Sequence, residues 1–455
     1  MFRKDRLVSA LSQPNLPFVK QPNVERGRPL DRLKSKLSDL RQRHRDRHRP
    51  TGFGFAFGDS VAYLDPQHWD SITDRSCLFL RRNVLRIIEE YGPENIKPRY
   101  ATIFRGERAV AVIAAQVVHL KGENLKRERQ NQPDKPSRPL MRRVLGPALG
   151  AATANLNERI LVAGNLLSWG FHGIAFAQNE DPEQVWPGVA EALYRIRRAE
   201  RLTGQTNFVM VKDLTADQCG LEALRRFSYR PMETEPNMVL AINPAWRSYD
   251  DYLSALDAKY RRNAKDQAKK LGAAGCVLEH LEDLEPHAAR LHELYMAVHN
   301  NAAVRLVTVT QSYLPALARA IKSQFRCTVV RKDDSLLGFV TTLQDGDTAV
   351  AYYIGFDRAA AAAGLPLYLR LLHATVADAI GWRCKRLSLG RTALEPKAAL
   401  GARPEPMSVW LRHRVPTFNW IFRGLLDAVP HAEAPERNPF KATPAPGCER
   451  PKVSI

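Results

Sequence analysis

Apolar positions along this chain follow two rhythms, and the same order of elements appears twice. From Phe79 to Tyr91 the apolar residues Leu80, Val84, Ile87 and Ile88 fall at helical spacing, and Tyr91-Gly-Pro93 ends the run. Arg99–Arg105 and Ala109–Leu120 flank Gly106-Glu107 and predict a β-hairpin. Arg159–Leu166 predicts a strand. Val185–Leu202 predicts an amphipathic helix with Val189, Leu193, Ile196 and Ala199 on one face, and Asn207–Val211 predicts a buried strand. The second half starts with helical patterns over Asp250–Leu271 and Ala288–Val298. It continues with a hairpin of Cys327–Arg331 and Leu336–Gln344 around Lys332-Asp-Asp334. A strand over Thr348–Gly355, a helix over Leu365–Ile380 and a strand over Arg386–Leu389 follow. Helix, hairpin, strand, helix, strand is thus repeated. The simplest account is a duplicated α/β (α+β) unit, a mixed central sheet flanked by helices, although one large α/β domain has the same periodicity.

The flanks differ from this middle. Residues 1–50 carry 14 Lys or Arg against 5 Asp or Glu and read as a disordered or weakly helical basic arm, with order expected to begin near Val61. Lys121–Arg143 is polar, basic and proline-containing, and reads as a long exposed loop. Residues 429–455 are proline-rich and read as a disordered tail. The division expected is an arm over 1–58, a first domain over 59–240, a second over 241–428, and the tail.

The 455 residues suit two or three domains, and the formal net charge is +20. Such an excess favours anionic partners, or only solubilises the arm. Six cysteines lie scattered with no CxxC pair, so neither a disulfide framework nor a zinc pattern is expected, and no metal. The N-terminus has no apolar secretory core and no stretch reaches 18 apolar residues, so a cytoplasmic protein without a transmembrane segment is expected. Walker A, GxSxG, HExxH and GxGxxG motifs are absent; Gly52-Phe-Gly54-Phe-Ala-Phe-Gly58 falls in the arm with no strand before it.

Four segments carry candidate chemistry. Gly390–Pro404 follows a predicted strand, where an α/β sheet places ligands beyond the strand's carboxyl end. Its Arg391, Lys397 and Arg403 suit a phosphate or carboxylate, and Glu395 suits a general base for an incoming amine. The same segment reads equally as a solvated loop. Tyr352-Tyr353-Ile354-Gly355-Phe356-Asp357-Arg358 ends an apolar strand. There Tyr353 suits a leaving-group acid and Gly355 a close approach of ligand to backbone, or the segment is plain core. Gly164–Gly173 holds His172, a candidate base or a structural histidine. On the helix from Lys259 to Lys270, Arg262, Lys265 and Lys269 share a face that suits an anionic backbone or simply water.

Taken in order, these segments resemble the bacterial FemAB-related, GNAT-fold N-acyltransferase and peptidoglycan-biosynthesis proteins, over about residues 60–425. The stretches that carry the resemblance are Ala109–Leu120 with Gln116, Gly164-Asn165 with Gly170–Gly173, and Phe208–Asp213. In the second half they are Lys259-Tyr260-Arg261, Tyr352–Phe356, and Gly390–Gly401 followed by His413. The resemblance implies tandem GNAT-like domains and transfer of an acyl group from a thioester such as acyl-CoA to the amine of a small molecule or peptide. It implies Glu395, Tyr353 and His172 as catalytic, and Gly355, Arg358, Arg391, Lys397 and Arg403 as binding the donor. Asn165, Lys212 and Tyr260 would bind substrate. The usual acyl-CoA loop, Gln/Arg-x-x-Gly-x-Gly/Ala, is represented by Arg358 and then only Gly364-Leu365-Pro366. Fem-type relatives use aminoacyl-tRNA, and the basic arm suits tRNA or an acidic membrane surface. A non-enzymatic binding protein on the same scaffold is the third reading.

Overall fold

Each half of the chain repeats one connection, an antiparallel hairpin followed by two parallel strands that a helix joins. The computed structural model describes residues 50–121, 157–218, 220–301, 306–415 and 437–441, with isolated positions 38, 42, 49 and 435. In the first half the strands are β1 (Gly54–Gly58), β2 (Ile96–Arg105), β3 (Arg108–Lys121), β4 (Asn157–Ala163), β5 (Ile174–Phe176), β6 (Thr206–Leu214) and β7 (Arg230–Ala241). In the second they are β8 (Cys276–Leu281), β9 (Phe325–Lys332), β10 (Ser335–Asp345), β11 (Thr348–Phe356), β12 (Arg386–Ser388) and β13 (Arg403–His413). The helices are α1 (Pro66–Thr73), α2 (Arg82–Tyr91), α3 (Pro182–Ala199), α4 (Leu221–Arg226), α5 (Tyr249–Ala255), α6 (Ala258–Ala273), α7 (Ala288–His299), α8 (Tyr313–Ile321), α9 (Arg358–Ala362), α10 (Leu367–Gly381) and α11 (Leu394–Ala399).

The strands form one mixed sheet in the order β1-β2-β3-β4-β6-β13-β7-β12-β11-β10-β9-β8, with β5 beside β3. Among the described strands only β4–β6 and β11–β12 are parallel, crossed over by α3 and α10 respectively. Parallel neighbours need such a crossover, which is why the hairpin–strand–helix–strand order was readable. The two halves exchange strands at the seam. β13, from the end of the chain, lies between β6 and β7, while β7 lies between β12 and β13. The α/β fold, two halves of like connection, thus forms one continuous sheet.

The two seam strands were not foreseen, because β7 contains Pro231 and Pro236 and β13 contains Pro404 and Pro406. Proline cannot donate to a ladder and is tolerated at bulges. The β7–β13 register shifts between the pairs Asn237–Glu405 and Thr234–Met407, and Pro236 and Pro406 stand in that gap.

Three further expectations change. Order begins before Val61, because Gly54–Gly58 pairs antiparallel with β2 from Phe104 to Tyr100. Phe53 and Phe55 pack on the core around the buried Trp186, and Thr51 binds Glu191 through its amide (2.8 Å) and hydroxyl (2.6 Å). The helix expected over Asp250–Leu271 is two helices, parted at Leu256 and Asp257 where the backbone is extended. In the expected tail, Phe440 bridges to Leu256 and packs on Trp246 and Tyr252 at ring separations of 5.6 and 6.1 Å. The remaining tail positions, the loop expected over Lys121–Arg143 beyond Lys121, and nearly all of residues 1–49 lie outside the described residues. Among the described residues no helix is long and apolar enough to cross a membrane.

Candidate active site

The parallel strands β11 and β12 part early. They pair only over Thr348–Val350 and Arg386–Ser388. Beyond Val350, β11 runs on to Phe356 against β10 alone, while β12 stops and the chain turns at Gly390. Gly390 has φ +78°, and a Cβ there would lie 3.2 Å from the Trp169 ring. Its N–H donates to Asn237 Oδ1 at 3.0 Å and its carbonyl accepts from Met238 at 3.1 Å, so the turn is locked onto β7.

The parting opens a cavity of about 690 Å³. One wall is β11 from Ala351 to Ile354, with Phe356, and another is the segment Leu389–Ala393 with Lys397. Helix α7 adds Tyr295, Val298 and His299, and α10 adds Tyr368 and Leu372. The first half supplies Leu166–Trp169 from the crossing between β4 and β5, and Lys212 from β6. The cavity therefore lies between the halves, and the second half contributes more of it. Its size is that of a small-ligand site and its lining is mostly apolar and aromatic.

Cationic groups of two kinds reach the cavity. Lys212 and Arg391 share one carboxylate, the fully buried Asp213. Lys212 Nζ also donates to Ser168 O at 2.7 Å, and Gly170 N–H donates to Asp213 Oδ2 at 2.9 Å. Burial would raise the Asp213 carboxyl, but the charges of Lys212 and Arg391 outweigh it and hold its pKa below the usual carboxylate value. Burial lowers the Lys212 ammonium, against the opposing pull of Asp213.

Lys397 is the other kind. It is 3% exposed and makes no hydrogen bond or ion pair with a described residue. Burial pushes its pKa from an ordinary 10.5 down to about 7, opposed only by the charge of Glu235. An amine with such a pKa exchanges protons readily at neutral pH. It is aimed by α11, whose N-cap Ala393 takes the left-handed φ of +51°.

The hydroxyls beside it stay protonated. Burial lifts Tyr352 and Tyr353 well above the ordinary tyrosine value. Tyr352 pairs with Tyr313 at 2.8 Å, and Tyr353 donates to Leu167 O at 3.3 Å. Tyr295 is pushed up to about 12 and meets His299 Nδ1 at 3.0 Å.

Of the residues singled out from sequence, Tyr353, Lys397, Arg391 and Lys212 meet at this cavity. The others do not line it. Glu395 precedes Lys397 by two positions, roughly 200° around a helix. With Lys397 turned inward, Glu395 faces solvent and pairs with Arg437 at 2.5 Å. His172 lies behind the wall, its Nδ1 3.0 Å from Ser168 Oγ and its ring stacked on Phe79 at 4.5 Å. Burial pushes its pKa down to about 3, so it is neutral and weakly basic. Gly355 admits protein rather than ligand, since a Cβ there would stand 2.6 Å from the backbone of Leu294 and Tyr295 in α7. Arg358 is exposed on α9, and Arg403 borders a separate cavity beside Phe440. Asn165 Oδ1 accepts from Leu167 N–H at 2.9 Å and shapes the β4–β5 crossing. Tyr260 packs against the core around Trp246 and Tyr252. Sequence reasoning passed over Trp169 and Asp213, although both stand in segments it quoted. Trp169 Nε1 donates to Ser388 Oγ at 2.9 Å and joins the halves. Asp213 carries an unusual φ of +61°.

The family profile described as an acetyltransferase (GNAT) domain matches residues 258–398. No curated protein matches the sequence. Similar solved structures include a tandem GNAT protein from the clavulanic acid biosynthesis pathway, at 11% identity over 79% of this chain and 98% of that one, with TM-score 0.45. FemX is similar at 10% identity over 80% of this chain and 98% of its own, with TM-score 0.47. A GCN5-related N-acetyltransferase from Sphaerobacter thermophilus shows 10% identity over 80% and 96%, with TM-score 0.38. The matched segment contains β11, β12 and Lys397, and the second half of the chain accordingly carries an acetyltransferase (GNAT) domain.

Proposed function

We propose that the chain moves an acyl group from a thioester of the acyl-CoA type to the primary amine of a small molecule or peptide, in the cavity between its halves. The observation that carries this reading is Lys397, an unpaired lysine with a near-neutral pKa on the wall of an apolar cavity. In the reaction the amine nitrogen attacks the thioester carbonyl. Neutral Lys397 takes the proton that the nitrogen loses as the C–N bond forms. The C–S bond then breaks, and the Lys397 ammonium returns the proton to the departing thiolate, whose ordinary pKa near 8.5 lies above that of Lys397. Tyr353, which keeps its proton, turns its hydroxyl from Leu167 O to donate a hydrogen bond to the sulfur. Lys212 and Arg391, with Asp213 between them, leave one net positive charge beside the oxyanion or an anionic substrate group.

The lining also favours an acyl group longer than acetyl, because Val340, Ile354, Phe356 and Leu372 give an acetyl group little to fill. Lys270 Nζ stands 3.4 Å from where a Gly364 Cβ would be, so a cation borders the loop that in this class of fold takes the donor's phosphates. A second reading, with aminoacyl-tRNA as donor, is favoured by the exposed Arg262, Lys265 and Lys269 on one face of α6. Thermal-shift titrations with octanoyl-CoA, acetyl-CoA, free CoA and charged tRNA separate the readings. Saturable stabilisation that is strongest with octanoyl-CoA supports the proposal. Stabilisation only by tRNA, lost steeply with salt, replaces the donor.

A further inference from the structure

Behind the cavity wall, side chains from three distant segments converge. Cys77 Sγ, a ring nitrogen of His172 and a carboxylate oxygen of Asp345 all lie within 4.8 Å of one another. Cys77 precedes the turn Leu78–Leu80, His172 lies on the β4–β5 crossing, and Asp345 ends β10, so the cluster draws on both halves. The arrangement of their other atoms is directional. His172 Nδ1 is held by Ser168 Oγ at 3.0 Å, which leaves Nε2, 4.0 Å from Asp345 Oδ2, facing the cluster. Asp345 Oδ1 accepts the Leu78 N–H at 2.7 Å, and the Cys77 thiol hydrogen-bonds the same carboxylate. The Asp345 side chain is 14% exposed, and among the described residues His172 is the only basic side chain within 4 Å of it. The nearby Arg81 spends a guanidinium N–H on Gln324 at 2.8 Å. The charge of Arg81 offsets part of the burial of this carboxylate, without an ion pair to it within 4 Å.

We propose that Cys77, His172 and Asp345 form a zinc site, with water in the fourth position. One sulfur, one imidazole nitrogen and one carboxylate oxygen are a donor set that zinc accepts in tetrahedral geometry at about 2.0–2.3 Å from each. Closing to those distances asks the three side chains to draw together by about 1 Å. The second contacts of His172 and Asp345, to Ser168 and to the Leu78 amide, are of the kind that orient zinc ligands. Binding breaks the Cys77 S–H bond, forms a Zn–S bond and releases the proton to solvent. The ion would fasten the β4–β5 crossing, whose Ser168 and Trp169 line the cavity, to the end of β10. The scattered cysteines gave no sign of this, since the ligands are brought together by the tertiary fold.

The test uses the full-length protein, stripped with a chelator and titrated with Co²⁺ and then Zn²⁺. The site predicts binding of one equivalent of Co²⁺ with release of a proton, tetrahedral visible bands and a near-ultraviolet thiolate-to-cobalt band, the bands all being displaced by one equivalent of Zn²⁺ with no further proton release. Cys77→Ser should lose the thiolate band, and His172→Gln should weaken Co²⁺ binding at least tenfold, with unchanged far-ultraviolet dichroism. Failure of the wild-type protein to bind an equivalent overturns the site whether or not the variants fold. An identical thiolate band in folded Cys77→Ser overturns it too, by assigning the sulfur to another cysteine.

Discussion

Replacing Asp213 by Asn removes one negative charge and almost no volume. In the native structure that carboxylate is fully buried and faces Lys212 Nζ, Arg391 and the Gly170 N–H. Asparagine can still accept from Gly170 but leaves two cations uncompensated. Breaking a buried pair from one side costs about 3–5 kcal/mol. The Lys212 and Arg391 side chains are 11% and 20% exposed, so water relieves part of the penalty and the lower end, about 3 kcal/mol, is expected here. The assay is urea unfolding followed by far-ultraviolet dichroism, with the midpoint shift converted through an unchanged slope. A second variant, Asp213→Asn with Lys212→Met, should recover at least about 1 kcal/mol, because the pair is coupled. The pH dependence has a fixed sign. The Asp213 pKa is lower folded than unfolded, so its contribution is complete above the unfolded carboxyl's 3.8 and fades as pH falls through the folded value. Wild type and variant should converge in acid. A loss below about 1 kcal/mol at pH 7, or no recovery in the double variant, would refute the shared-carboxylate account.

Three further outcomes follow from single positions. Gly355→Ala should destabilise by about 1–3 kcal/mol in the same urea assay, because its Cβ meets the α7 backbone at 2.6 Å, and it should weaken octanoyl-CoA binding by moving Tyr295 and His299; a neutral effect on both contradicts the packing. Ala393→Gly should stabilise by about 0.5–1 kcal/mol, since alanine at φ +51° is strained by more than glycine's extra chain entropy; a destabilised variant denies the strain. Lys397 makes stability rise with pH. Below about pH 7 it is ionised folded and unfolded and its burial opposes folding in full, whereas between 7 and 10.5 the unfolded chain binds more protons. The span is roughly 5 kcal/mol at about 1.4 kcal/mol per pKa unit, and Lys397→Met should remove that slope from unfolding midpoints measured across pH 6–9.

The sequence disclosed what local chemistry controls. The hairpins β2–β3 and β9–β10, strands β4, β6, β11 and β12, and the crossover helices α3 and α10 all had clear periodicity. It hid what the whole fold controls. β7 and β13 carry prolines and charges, and only their pairing with each other makes them central. β1 looked like part of a glycine-rich arm until Phe53 and Phe55 found the Trp186 core. In the site, residue type pointed to Lys397 and Tyr353 but could not assign their neighbours' directions. Glu395 and Lys397 stand in one short segment, and a two-residue step on α11 sends one to solvent and the other inward. Gly355 suggested a close approach of ligand to backbone, whereas the atoms that approach it are those of α7 and Phe339.

The most direct measurement is the rate of CoA thiol release from octanoyl-CoA in the presence of a mixture of primary amines, compared among wild type, Lys397→Met and Glu395→Gln. If Lys397 carries the proton in the cavity between the halves, Lys397→Met loses about 10²–10⁴-fold in rate and Glu395→Gln stays within about twofold of wild type. A Lys397→Met protein that turns over normally, or a Glu395→Gln protein that does not, would contradict the account.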